Sequence, residues 1–219
     1  MGFGLLFIGY FFLLFFPVGS MGVLPNIAAL GCIIMFSACG RLSHFAQDCK
    51  GFKLARYTLI PYFGIAVADL ALDIACYAGV RDQVTDTYLA KPLTLAADLI
   101  FGVFAVFLMV GIYKLAKEVE LPKIASRTGI VLSISVLFSL FAAVSDIAAF
   151  VTVPVSSRIT AAVNYIGFAA FILEYLAIFL SLAHIFSCYM NICLEGDEDM
   201  PYRADLFDKI VAFTKRNKK

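Results

Sequence analysis

Charge is what this sequence has least of. Only 15% of its 219 residues are Asp, Glu, Lys or Arg, against roughly 25% in ordinary soluble domains. Apolar types make up 62%, and mean hydropathy is +0.93. A soluble core cannot absorb that much apolar surface, so the surrounding solvent is expected to be a lipid bilayer. The net charge of +1 predicts no nucleic-acid partner.

Other scarcities exclude particular chemistries. The six cysteines, Cys32, Cys39, Cys49, Cys76, Cys188 and Cys193, include no CxxC pair and read as free thiols behaving as small apolar residues. The only histidines, His44 and His184, lie far apart, which argues against a histidine-rich zinc hydrolase. No metal ligand set is assigned and no cofactor is expected. The chain has no GxGD, no HExxH, no nucleophile elbow, no glycine-rich phosphate loop and no spaced aspartate run of the CDP-alcohol phosphotransferase type. An intramembrane enzyme is therefore disfavoured. The N-terminus has no basic region or A-x-A cleavage signal, and Leu6 stands where a myristoylation motif needs Ser or Thr. No N-x-S/T sequon occurs.

Long apolar runs are what the sequence does have. A spanning helix needs about 20 apolar residues. Six segments reach or approach this: 2–18, 27–42, 57–80, 93–113, 128–153 and 159–190. The last would be about 48 Å long as one helix, so it is expected to tilt, bend or project from the membrane. Of the 17 Lys and Arg, all but Arg81, Lys91 and Arg158 fall in the second loop, the fourth loop or the C-terminal tail. The positive-inside rule then predicts an all-α, polytopic protein of the cell membrane, with six transmembrane helices and both termini cytoplasmic. Residues 1–194 form the bundle. Residues 195–219 form an acidic turn, a short amphipathic stretch (Leu206, Phe207, Ile210, Phe213) and a basic end. That tail reads either as a helix lying on the anionic leaflet or a partner, or as an ordinary solvated tail whose charge sets topology.

A parallel repeat of two hairpins is also expected. Ala66-Val67-Ala68-Asp69-Leu70-Ala71 in helix three resembles Ala143-Val144-Ser145-Asp146-Ile147-Ala148 in helix five. Arg81 then pairs with Arg158, Asp98 with Glu174, and Tyr113 with Tyr189. The hairpins of helices 3–4 and 5–6 run the same way.

The costliest feature is acidic. Asp69, Asp73, Asp98, Asp146 and Glu174 all fall inside predicted spans, where an ionised residue costs roughly 2.5 to 3.5 kcal/mol. At 100° per residue, Asp69 and Asp73 share a face with Tyr62, Ala66 and Tyr77. Asp98 shares one with Thr94, Gly102 and Ala105. Asp146 follows Ser135, Ser139 and Ala142, and Glu174 lies with Gly167, Ala170, Ala177 and Ser181. The opposite face of helix three carries Gly64, Ala68, Ala71, Ala75 and Gly79, a small-residue stripe expected to pack another helix and make helix three central. Helices one and two carry no acid and are expected to be peripheral.

Together these features predict an acidic cavity that opens outward, with Arg81, Lys91 and Arg158 at its rim. Such a cavity would bind a cation, a proton or an amine-bearing solute, or serve its transport. The alternative is a non-catalytic assembly, sensor or subunit protein with structural acids. A homo-oligomer or membrane partner would then dock through the basic cytoplasmic loops and tail.

Overall fold

The computed structural model describes residues 2–15, 27–45, 50–78, 83–151 and 157–193. Among these there are six α-helices and no strand: α1 (Gly2–Phe15), α2 (Ala28–Phe45), α3 (Lys50–Tyr77), α4 (Gln83–Glu118), α5 (Pro122–Val151) and α6 (Ser157–Cys188). A π-turn over Tyr189–Cys193 ends α6. Four stretches are long and apolar enough to cross a bilayer: Lys50–Ala75, Pro92–Glu118, Pro122–Ser145 and Tyr165–Ile192. Gly2–Leu13 and Ala28–His44 are shorter apolar helices. The fold is therefore all-helical and of membrane-protein type. The C-terminal tail and Arg81 lie outside the described residues.

Helix starts differ from the apolar boundaries. α3 begins at Lys50 and α4 at Gln83, well before the apolar runs at 57 and 93. Hydropathy marks where a helix meets lipid, whereas Lys50, Lys53, Arg56 and the polar residues of 83–92 continue the backbone ladder. Between α4 and α5, the chain reverses in three residues. Leu121 N–H donates to Ala116 O at 2.9 Å and Glu120 N–H to Lys117 O at 3.2 Å. This Schellman pattern places Glu120 in the left-handed region, with φ 58°. Pro122 occupies the first turn of α5, where its missing N–H costs nothing. Glycine carries no steric penalty at Glu120's conformation, so Glu120→Gly is expected to stabilise the protein by about 0.5 to 1 kcal/mol. Thermal unfolding in detergent checks this.

The helices pack in a closed cycle: α1 on α2, then α3, α4, α5 and α6 in order, with α6 returning to α1. Contacts across the interfaces show that neighbours are antiparallel. Gly51 lies against Gly111, and Tyr62 stacks on Phe101 at 5.8 Å, so residue numbers rise along α3 as they fall along α4. Gly102 faces Ser139 across α4 and α5. Thr128 meets His184, and Ser135 meets Ser181, across α5 and α6. Phe7 packs on Phe186 at 5.5 Å across α1 and α6. Glycines permit the closest of these crossings, α1 on α2 at Gly9 and Gly31 and α3 on α4 at Gly51 and Gly111.

Two expectations are corrected. α1 and α2 are not peripheral. Phe3, Leu6, Tyr10 and Leu13 of α1, with Cys32, Met35, Cys39 and Leu42 of α2, are buried in the main core. Tyr10 reaches across the ring to stack on Phe101 at 5.5 Å and Phe104 at 6.3 Å of α4. The physical reason is volume: a ring of six helices leaves an axial space, and Phe and Tyr fill it better than the small residues of α3. Nor is α3 central. It touches α2 and α4, and Gly64, Ala68 and Ala71 of its small-residue stripe are exposed, with nothing within 4 Å of a methyl group built on Gly64.

The outside of the ring is apolar. Val144 is 64% exposed and Tyr165 78%, and at most 39% of each spanning window is buried. Water would not tolerate so continuous a surface; lipid does.

Candidate functional site

Placement of the acids follows from the register. The α3–α4 contacts at Gly51–Gly111 and Tyr62–Phe101 put Asp69 level with about Thr94, and Asp98 level with about Ile65. Asp69 and Asp98 therefore differ in height by about 6 Å at 1.5 Å per residue. Asp73 lies one turn further out. Gly102 opposite Ser139 brings Asp146 to about the level of Thr94 as well. The α5–α6 contacts put Glu174 near the level of Ser139, beside the aromatic layer. The acids thus form a belt, with Glu174 deepest.

The helical faces are also resolved. On α3, Tyr62, Ala66 and Asp69 are buried, Asp69 being 4% exposed, and Asp73 is half-buried. On α4, Thr94, Asp98 and Gly102 are half-buried and Ala105 is buried. Ser135 and Ala142 precede Asp146 on a buried face. Ala170, Ala177 and Ser181 flank Glu174 in the same way. Asp146, Glu174, Lys91 and Arg158 lie in described helices, but their side chains are outside the described set. Asp69, Asp73 and Asp98 each have a hydrogen-bonding or electrostatic partner.

The described parts of α1 and α2 can be set against the belt by their packing partners. Phe7 opposite Phe186 sets Phe15 level with about Ile178, one turn inside Glu174. Arg56 lies 4.2 Å over the ring of Phe36 and against Gly40, which sets Ala28, the first residue of α2, near the level of Ala66. Asp69 and Asp73 lie just beyond it. Inside the belt, the rings of Tyr10, Tyr62, Phe101 and Phe104 fill the ring axis.

Several polar groups were not singled out by sequence reasoning. Tyr10, 1% exposed, hydrogen-bonds Ser181, and Ser181 Oγ lies 3.2 Å from Ser135 Oγ. A buried polar thread therefore joins α1, α6 and α5 behind the aromatic layer. Ser145 Oγ is buried with no hydrogen-bond partner among the described residues, at the level of the belt and facing Gly167. A buried hydroxyl in that state costs about 1 to 3 kcal/mol unless something else meets it. The only sequence signal was its place next to Asp146. Toward the other end, His184 Nε2 lies 2.8 Å from Thr128 Oγ1 and 3.6 Å from Cys188 Sγ. Among the described residues, no group of three or more His, Cys, Asp or Glu could hold a metal ion.

This arrangement can hold a positive charge, a proton or a hydrogen-bond donor at the belt, with apolar packing closing the bundle on one side of it. No family model, no curated protein and no solved structure matches the chain.

Proposed function

We propose that the chain is an integral membrane protein that binds, and serves the transport of, a cation, proton or amine-bearing solute at an intramembrane acidic belt. Six spans with both termini cytoplasmic fit the alternating packing and the distribution of Lys and Arg. Among the described residues, α1 and α2 contribute shorter apolar helices to this bundle than the other four. The pairing of hairpins 3–4 and 5–6 as a parallel repeat is part of this reading. So is an outer rim of Arg81, Lys91 and Arg158.

The observation that carries it is the burial of Asp69 within about one turn of Asp98's level, beside half-buried Asp73. Asp69 and Asp73 stand one turn apart on α3 and Asp98 lies at a neighbouring level on α4, so a cation or an amine at that height would meet acidic groups from two helices. The orphaned Ser145 hydroxyl at the same height supplies a further polar contact. Asp73 has no counterpart in the second hairpin, so it is read as the specific solute contact.

A second reading is favoured by one observation: Asp69, Asp73 and Asp98 all have partners already. In that case the acids join helices of a membrane assembly or sensor protein. Asp73→Asn separates the two. The binding reading expects weaker binding of a small amine or monovalent cation, by about tenfold, with the thermal midpoint unchanged. The structural reading expects a lowered midpoint and no binding in either protein.

A further inference from the structure

We propose that the groove between α5 and α6 at the basic end of the bundle is a binding site for an anionic phospholipid with a hydroxyl-bearing headgroup. The groove has a volume of about 240 Å³ and is open on one side. Ile130, Val131, Leu180 and Ala183 form its apolar wall, and Arg127, His184 and Ser187 its polar end.

Each polar group has capacity left for a ligand. Arg127 is exposed and makes no ion pair or hydrogen bond among the described residues. Its planar fork of N–H donors suits a phosphate. Ser187 Oγ accepts from Asn191 Nδ2 at 3.4 Å, which leaves its own proton to donate. His184 is fixed by its neighbours. Thr128 donates its hydroxyl proton to Ile124 O at 2.8 Å, so at 2.8 Å from His184 Nε2 its oxygen must accept. With the proton assigned to Nε2, which faces Thr128 Oγ1 and Cys188 Sγ, Nδ1 is an acceptor with no described group on it. A phosphate flanked by hydroxyls satisfies all three: oxygen on Arg127 and Ser187, a hydroxyl proton on His184 Nδ1.

Position selects lipid over a soluble anion. Arg127 opens the apolar part of α5, and Ile130 beside it is 59% exposed. The polar end therefore lies at headgroup depth and the wall along the acyl chains. Basic pockets between helices on the cytoplasmic side are where anionic headgroups dock. Because the groove is small, it seats a headgroup and the first carbons while the chains stay in the bilayer.

Native mass spectrometry of the full chain in detergent tests this with phosphatidylglycerol, phosphatidylcholine and glycerol 1-phosphate. Phosphatidylglycerol should be retained over phosphatidylcholine, glycerol 1-phosphate should not be retained, and Arg127→Ala should weaken phosphatidylglycerol retention about tenfold. Lys123→Ala, exposed on the same helix end but outside the groove, should leave retention unchanged. Equal retention of the two lipids would overturn the site. So would an Arg127→Ala protein that binds like wild type, or an equal loss in Lys123→Ala, which would show diffuse surface charge. Retention of glycerol 1-phosphate comparable to the lipid would overturn the assignment to lipid.

Discussion

Gly51→Ala is expected to destabilise the protein by about 1 to 3 kcal/mol, seen as a thermal midpoint lowered by about 2 to 4 °C per kcal/mol. A methyl group on Gly51 would lie 2.7 Å from Gly111 N, 2.8 Å from Gly111 Cα and 3.0 Å from Phe107 O. All three are backbone atoms, so no side-chain rotation relieves the contact and the helices must part. Parting them at this crossing also pulls at Phe52, which is fully buried beside Gly111. Gly64→Ala on the same helix is the control. Nothing lies within 4 Å of the added methyl, and alanine is the better helix former, so stability should hold or rise slightly. Melting both variants by gel filtration after heating distinguishes a true close crossing from a general intolerance of α3 to alanine.

Asp69→Asn is expected to abolish the coupling of solute binding to protonation while leaving the fold intact. Asparagine keeps the shape and the hydrogen-bonding capacity of a buried carboxyl but can neither ionise nor release a proton. Since Asp69 has a partner already, the amide preserves much of that contact, whereas Asp69→Leu would strand the partner and destabilise the bundle. A binding isotherm that loses its pH dependence in Asp69→Asn, with a melting curve that overlays wild type, is the expected pair of results.

Much of this was readable from residue types alone, because lipid imposes a strong and simple rule on composition. The four long apolar helices and the inward faces of Asp69, Asp98 and Ser135 follow from hydropathy and 3.6-residue periodicity. What could not be read was which helices fill the centre. In a uniformly apolar chain, hydrophobicity no longer separates inside from outside. α1 carries the buried Phe3, Leu6 and Tyr10 and also the exposed Ile8 and Phe11, and nothing in their polarity tells them apart. The same limit misplaced the stripe at Gly64, Ala68 and Ala71, since small residues pack helices only where a partner is at hand. The thread from Tyr10 through Ser181 to Ser135, and the Thr128–His184 pair, join residues far apart in sequence. They become visible only once α6 closes on both α1 and α5.

The central claim is that the belt of Asp69, Asp73 and Asp98 binds a cation or amine in exchange for a proton. Proton release on adding small amines and monovalent cations to the purified, weakly buffered protein tests it most directly. The account predicts saturable release in wild type that is lost in Asp69→Asn and reduced in Asp73→Asn, with all three proteins equally folded. Absence of release for every cation and amine tried, or release that persists unchanged in Asp69→Asn, would contradict it.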